Sequence, residues 1–231
     1  MNKYLPFRIF IGYDSREAIG FHVLAHSILL NSSVPVSITP INLNNLKNFY
    51  RRNKGKKDST EFSISRFLTP YLSGYKGYSL FLDCDFIVRG DVADLIKIII
   101  KDPNRSIWCV QHKNYLPKDK KKFLSEKQLP YLKKNWSSFM IFNNKKCKIL
   151  KPNFIQKANG LYLHQFKWIN NSNQIGVLPK RWNNLVGEQK ILNNFKALHY
   201  TRGGPYFKKY RNCDGSKFWF YYKKLMEKGM E

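Results

Sequence analysis

Two aspartates one residue apart, Asp83 and Asp85, close the apolar run Tyr78-Ser79-Leu80-Phe81-Leu82. In a strand, side chains alternate faces with a period of two, so both carboxylates project to one side and Cys84 to the other. Two carboxylates sharing one small volume repel each other unless a cation neutralises them. Ligands of open α/β sheets collect at the carboxy ends of strands, so a divalent metal ion is the natural partner of this pair. A plainer account also fits: Asp83 caps a turn and Asp85 is solvated, as short Asp-x-Asp strings do in many unrelated proteins. The flanks favour the metal. The preceding residues are continuously apolar, as in a strand covered on both faces, and Asp91-Val92-Ala93-Asp94-Leu95 reads as a helix start with acids in its first turn.

The elements that must carry this pair alternate along the chain. Arg8-Ile9-Phe10-Ile11-Gly12-Tyr13 reads as a first strand and residues 17–30 as the helix after it, the opening of a nucleotide-binding α/β unit. Residues 36–43 offer a second strand, followed by an exposed polar loop over 44–59 that carries Arg51-Arg52 and Lys54-Gly55-Lys56-Lys57. Residues 63–72 suit a helix that feeds the Asp-Cys-Asp strand through the turn 73–77. A helix over 94–101, strands over 107–110 and 136–142, a short helix over 161–168, and strands over 175–178 and 196–200 complete the pattern. A basic insertion, 113–134, is expected to act as a lid or to face an acceptor. The reading is an α/β, Rossmann-like fold: one domain over residues 1–214 with a mixed, mainly parallel sheet flanked by helices. A basic, aromatic tail follows over 215–231, either a helix packed on the domain or a segment docked on membrane.

Composition sets bounds. At 231 residues and 43% hydrophobic content the chain can bury a real core but not two independent ones. No stretch of about 18 apolar residues is present and the first residues lack a signal-peptide layout, so a cytoplasmic location is expected. Cys84, Cys109, Cys147 and Cys213 are widely spaced without a C-x-x-C string, which argues for reduced thiols over a zinc site or a disulfide framework. Forty-one Lys and Arg against 15 Asp and Glu give a formal charge of +26. Nucleic acid, an anionic membrane surface and compositional drift each account for such an excess. No helix-turn-helix, zinc finger or RNA-binding aromatic motif is present and the lysines are spread along the chain, so an anionic donor or peripheral contact with an anionic membrane is favoured over nucleic acid.

Taken in order, these segments resemble the family 8 glycosyltransferases of the GT-A fold, the group that includes glycogenin and bacterial lipopolysaccharide galactosyltransferases. The resemblance runs through a strand ending near Tyr13-Asp14, Ser65-Arg66 in the helix before the acids, and Phe81-Leu82-Asp83-Cys84-Asp85, which is similar to the family's Tyr-Leu-Asp-x-Asp string. It continues through Asn135-Trp136-Ser137-Ser138-Phe139-Met140-Ile141-Phe142-Asn143, Leu178-Pro179-Lys180-Arg181-Trp182-Asn183 and Leu198-His199-Tyr200-Thr201. It implies a metal-dependent retaining transfer of a hexose from a nucleotide sugar, foremost a UDP-sugar, to a glycan or glycolipid of surface polysaccharide or lipopolysaccharide. Attack would come from the front side, with the leaving diphosphate accepting the acceptor's proton.

The resemblance also assigns residues. Asp83, Asp85 and His199 would hold Mn²⁺, with Mg²⁺ the alternative; a buried histidine bonded to backbone is the other account of His199. Donor contacts would come from Tyr13, Asp14, Arg16, Arg66, Asp83, Ser137, Ser138, Arg202, Gly203, Gly204 and Lys208. Several of these also have structural readings: Tyr13 as a core ring and Asp14 as a helix cap, where a carboxylate could instead read uracil, while Arg66 would pair with donor phosphate or hold Asp83 in place, a surface side chain being the other account. The sequence departs from the family twice. His164-Gln165-Phe166 stands where Asp-Gln-Asp is usual, and Arg202-Gly203-Gly204-Pro205-Tyr206 where the closing Gly-x-x-Lys-Pro-Trp is usual, with Arg202 or Lys208 left to contact phosphate. Gln165 and Glu188 are the candidates beside the sugar. A nucleotidyltransferase of related fold and a basic nucleic-acid-binding protein are the competing functions; the first would need a Gly-rich phosphate loop near the first strand, and none is seen.

Overall fold

Phe7–Gly12 (β1) is buried at every position but Arg8, as a strand covered on both faces must be. It lies between Val36–Ile41 (β2) and Tyr78–Leu82 (β3), parallel to both. β2 is the edge strand, which is why it tolerates Pro40 and leaves most of its side chains half-buried or exposed. The structure is a computed structural model that describes residues 5–55, 58–112, 116–117, 119, 121–126 and 130–228. Lys56 and Lys57 of the basic loop, part of the insertion over 113–134 and the last three residues of the tail lie outside the described residues.

Beyond β3 the sheet continues through Phe139–Asn143 (β6), Ile107–Cys109 (β5) and Ile175–Val177 (β7), giving the order β2-β1-β3-β6-β5-β7. β6 is antiparallel to both neighbours and the other five strands share one direction, so the sheet is mixed and mainly parallel. A second, small sheet sets Ala197–His199 (β9) between Phe86–Val88 (β4) and Asn184–Leu185 (β8). The helices are Ala18–Asn31 (α1), Thr69–Leu72 (α2), Ala93–Ile99 (α3), Pro152–Lys157 (α4), Gly160–His164 (α5) and Ser216–Glu227 (α6). None of the described helices is long and apolar enough to cross a membrane.

Two cores follow from the two sheets. The larger wraps the main sheet; the smaller joins Val23, Ile87, Val186, Phe195, Leu198, Tyr200, Trp219 and Tyr222. α1 serves both, since Leu24 and Ile28 enter the large core and Val23 the small one. Gly20 lets the first turn of that helix approach the acidic turn: a Cβ there would sit 3.0 Å from the Cys84 carbonyl. Just before it, Glu17 is buried and accepts a hydrogen bond from the Tyr206 hydroxyl at 2.5 Å. Burial first, then the negative charge of Asp85, pushes its carboxyl up to about 8 despite that bond.

Several expectations change. The two aspartates sit on a turn between β3 and β4 and not in one continuous strand. The helix expected over 63–72 is a 3-10 turn, Ser65–Leu68, continued by the short α2, because Pro70 fits at the start of a helix and not within one. The strand expected from Trp136 starts at Phe139, after a 3-10 turn at Trp136–Ser138. The tail packs as α6 with Trp219 and Tyr222 in the small core, and of its five rings only Tyr221 is exposed, so aromatic insertion into headgroups has one ring to draw on.

Trp219→Ala should lower stability by about 3–5 kcal/mol, seen as a fall in the urea midpoint at constant m-value. A loss under about 1 kcal/mol would mean that the small core does not lean on this ring. Because the folded pKa of Glu17 lies above its ordinary 4.5, its contribution is present below that value and is lost as pH rises through about 8. Glu17→Gln should therefore flatten the decline of stability with pH across that window; equal slopes in parent and variant would contradict the assignment.

Candidate metal centre and cleft

The acidic turn is held from both ends. The Asp83 N–H donates to the Ser138 carbonyl at 3.0 Å, and the Asp85 carbonyl accepts from the Tyr200 N–H at 2.8 Å. Arg66, on the 3-10 turn before α2, is itself 5% exposed and donates through Nη1 to Asp83 Oδ1 at 2.6 Å and to the Ser137 carbonyl at 2.9 Å. Its Nε binds the Ser63 carbonyl, and its guanidinium lies over the Phe62 and Phe81 rings, 5.3 and 5.2 Å from their centroids. Locked in this way, Arg66 is a clasp on Asp83.

β4 and β9 pair antiparallel with Phe86 opposite His199, which brings the imidazole over the phenyl ring at 4.2 Å and 14°. Nε2 of His199 then lies 3.3 Å from Asp85 Oδ1, while Nδ1 faces the Asn183 side-chain oxygen at 3.1 Å. One ligand atom from each of Asp83, Asp85 and His199 falls within 4.8 Å of the others. Burial and the charge of Asp85 raise the Asp83 carboxyl to about 6, with Arg66 and His199 pulling against them. Burial works the same way on Asp85, but the neighbouring His199 outweighs it and lowers that carboxyl. Two carboxylates and one imidazole are a donor set that suits Mn²⁺ or Mg²⁺, and Asp85 Oδ1 is buried with no well-formed hydrogen bond, so these residues fit such an ion.

Asp83 and His199 open onto a cleft of about 460 Å³. Arg52, Lys122 and Lys134 bring positive charge to its walls, and Arg66, Ser137 and Ser138 also line it. Opposite the acids, His164 bonds Ser137 Oγ through Nδ1 at 2.7 Å. Burial, followed by the charges of Arg66, Lys134 and Arg52, holds His164 well below the ordinary histidine range, so it is neutral. Sequence reasoning did not pick out Arg52, Tyr131 or Lys134 as cleft residues, since loop and insertion side chains carry no periodicity to aim them. The chemistry of His164 was visible only as a misfit in the Asp-Gln-Asp position.

Other expected site residues stand outside this lining. Asp14 is fully buried, caps the 3-10 turn Ser15–Glu17 and binds Arg16 through both oxygens at 2.8 and 2.6 Å. Burial raises its carboxyl, but bonds from the Arg16 side chain and from the N–H groups of Arg16 and Glu61 outweigh that and lower it. Arg16 also meets Glu126 at 2.7 Å and the Ser59 carbonyl at 3.0 Å. Tyr13 packs edge-on against Phe21. Arg202 pairs with Asp119 and lies 3.9 Å from Glu188, whose side chain is 1% exposed. Gly203 and Gly204 are buried against Tyr210 and Tyr206, and Lys208 is exposed. Gln165 ends α5 with its carbonyl bound by Lys133 Nζ at 3.0 Å. Gln165 and Glu188 do not line the cleft because one follows the turn out of α5 and the other is drawn to Arg202.

No family model matches the chain. Solved structures similar to it include the WbbM bifunctional glycosyltransferase in its apo form, at TM-score 0.62 and 13% identity, covering 96% of this chain and 50% of that one. The glycosyltransferase GlyE of Streptococcus pneumoniae TIGR4 gives 0.61 and 14%, covering 94% and 60%. The galactosyltransferase LgtC in complex with donor and acceptor sugar analogues gives 0.52 and 10%, covering 94% and 95%. The chain therefore spans only half to three-fifths of the first two, and at these identities the likeness shows the fold, which is GT-A. Among curated proteins, Protein CDI of Arabidopsis thaliana is 43% identical over 223 residues, which cover 93% of this chain and 85% of the relative. Likeness of that degree along most of both sequences shows descent as well as shape: the chain belongs to the family of Protein CDI.

Proposed function

We propose that the chain is a metal-dependent, retaining glycosyltransferase of the family 8 type that moves a hexose from a nucleotide sugar, foremost a UDP-hexose, to a glycan or glycolipid acceptor. The observation that carries this reading is the convergence of Asp83, Asp85 and His199 at the mouth of a cationic cleft on the carboxy edge of a GT-A sheet. These three residues would hold Mn²⁺ or Mg²⁺, and such an ion supplies charge stabilisation to a departing diphosphate. Arg66 fixes the orientation of Asp83. Arg52, Lys122 and Lys134 set a positive field that favours a polyanionic donor, and their walls exclude bulk water from its phosphates. The neutral His164 and Ser137 pair offers hydrogen bonds to sugar hydroxyls without adding charge.

In this reading residues 1–214 form the transfer unit and 215–231 its packed tail, with Tyr13 and Asp14 at the base end of the donor. Arg16, Arg202 and Lys208 contribute to phosphate attraction at longer range. The enzyme works in the cytoplasm, drawn to anionic membrane by charge more than by aromatic insertion: Lys217, Lys224 and Lys228 form an exposed stripe on and beside α6, each worth about 1 kcal/mol at such a surface.

Thermal unfolding with UDP, UDP-hexoses and Mn²⁺ tests the core of the proposal. At 100 times the dissociation constant a ligand stabilises by about 2.7 kcal/mol, so the parent should melt measurably higher with UDP and Mn²⁺ together, and Asp85→Ala should not. An equal response in both would remove Asp85 from the metal centre. Tight oligonucleotide binding at physiological salt with no response to UDP-sugars would instead identify a nucleic-acid-binding protein. Flotation with vesicles containing phosphatidylserine should carry the protein upward at low salt and release it at high salt; no binding in either condition rejects the membrane contact.

A further inference from the structure

We propose that Asn183, relayed through Asn135 and Ser138, fixes the tautomer and orientation of His199 and presents its Nε2 as a preformed ligand, making Asn183 a positioning residue for the metal centre. The inference rests on the metal reading above but makes a claim that can be tested without metal.

The assignment follows from which atoms can only accept. The Asn135 carbonyl has no hydrogen to give. It receives Ser138 Oγ at 2.8 Å and faces the Asn183 side-chain amide at 3.2 Å, so the atom presented there is Nδ2. The same Nδ2 lies 3.0 Å from Ser138 Oγ, whose hydrogen already points to Asn135, so that hydroxyl accepts. With Nδ2 committed twice, Oδ1 of Asn183 is the atom 3.1 Å from His199 Nδ1. A carbonyl oxygen only accepts, so Nδ1 carries a hydrogen. Ser138 Oγ, 3.4 Å from the same nitrogen, is a further acceptor with its hydrogen directed elsewhere.

Neither partner can turn away. Asn183 is 0% exposed and does not line the cleft, so water does not reach its side of the ring to replace a lost bond. Reversing the amide would set Oδ1 against the Asn135 carbonyl and the NH₂ group against Nδ1–H. The imidazole is stacked flat on Phe86, which leaves it little freedom to tilt. Asn135 itself is held at φ 63, in the left-handed region, so the backbone supporting the relay is constrained too.

The consequence falls on the other ring nitrogen. Free neutral histidine favours the hydrogen on Nε2, but here the relay keeps one on Nδ1. Nε2 is left facing Asp85 Oδ1 at 3.3 Å, turned toward the acid pair. A histidine that merely bonded the acid would not need its far nitrogen held through three side and main chain groups. A ligand to a cation shared with that acid does need it, since an outer partner on the far nitrogen sets both ring orientation and basicity.

Long-range ¹H–¹⁵N correlation of the histidine rings in metal-free, ¹⁵N-labelled protein at mildly alkaline pH reads the tautomer directly. His199 should carry a hydrogen on Nδ1 in the parent, keep it in Asn183→Asp, which retains the acceptor and, with its other oxygen protonated, the donor to Asn135, and lose it from Nδ1 in Asn183→Leu. Free Mn²⁺ counted by electron paramagnetic resonance should show affinity about 10–100-fold weaker in Asn183→Leu and no weaker than the parent in Asn183→Asp. A His199 with no hydrogen on Nδ1 in the metal-free parent overturns the proposal, as does equal Mn²⁺ affinity in parent and Asn183→Leu. If Asn183→Leu does not fold, the parent spectrum and Asn183→Asp decide. A parent that binds no Mn²⁺ rejects the metal reading, and the tautomer still decides the relay.

Discussion

Two carboxylates buried in one small volume cannot both remain ionised unless cationic or hydrogen-bonding groups are aimed at them, and the chain around Asp83 and Asp85 is arranged to supply those groups. The main sheet supplies one: the 3-10 turn ahead of α2 sets Arg66 against Asp83, with its remaining donors used on carbonyls and its flat faces on Phe62 and Phe81. The small sheet supplies the other through the Phe86 and His199 pairing. Each acid thus answers to a different sheet. The turn between β3 and β4 exists because the chain must leave one sheet and enter the other there, and the pair of acids marks that crossing.

This division explains what could be read in advance. Arg66 and His199 stood out only through the resemblance of their segments, whereas the pair Asp83 and Asp85 was legible because it closes an apolar run. The parallel strands β1 and β3 were legible for the same reason. The small sheet was not, since β8 has two residues and β4 three, too few for a period of two to declare itself. Nor was the fate of the arginines. Arg16 meets Glu126 across 110 positions, a pairing that no local window contains. The turn at Trp136–Ser138 reads as strand because Trp136 stands just ahead of the apolar run that begins at Phe139; the two serines and the left-handed Asn135 before them set a turn there instead.

Charge is distributed unevenly. Besides Asp83 with Arg66 and Glu188 near Arg202, the described acids Asp14, Asp94, Asp102, Asp119, Glu126 and Glu227 are joined to lysine or arginine, and most of these pairs are exposed enough to add little stability. Asp119 and Glu126 have a more particular effect. They are the acids of the otherwise basic segment 113–134, and they meet Arg202 and Arg16, two of the arginines expected to attract phosphate. The insertion is therefore fastened to the body by the same groups that a polyanion would seek.

The small core also has a temporal side. It gathers Val23, Ile87, Leu198 and Trp219 from points spread along nearly the whole sequence, and it is the floor on which β9 rests. Translation delivers these residues in order, so the core beneath β9 closes only after Trp219 has emerged. A centre that draws one ligand from above this core is thus completed by contacts between distant parts of the chain and not strand by strand.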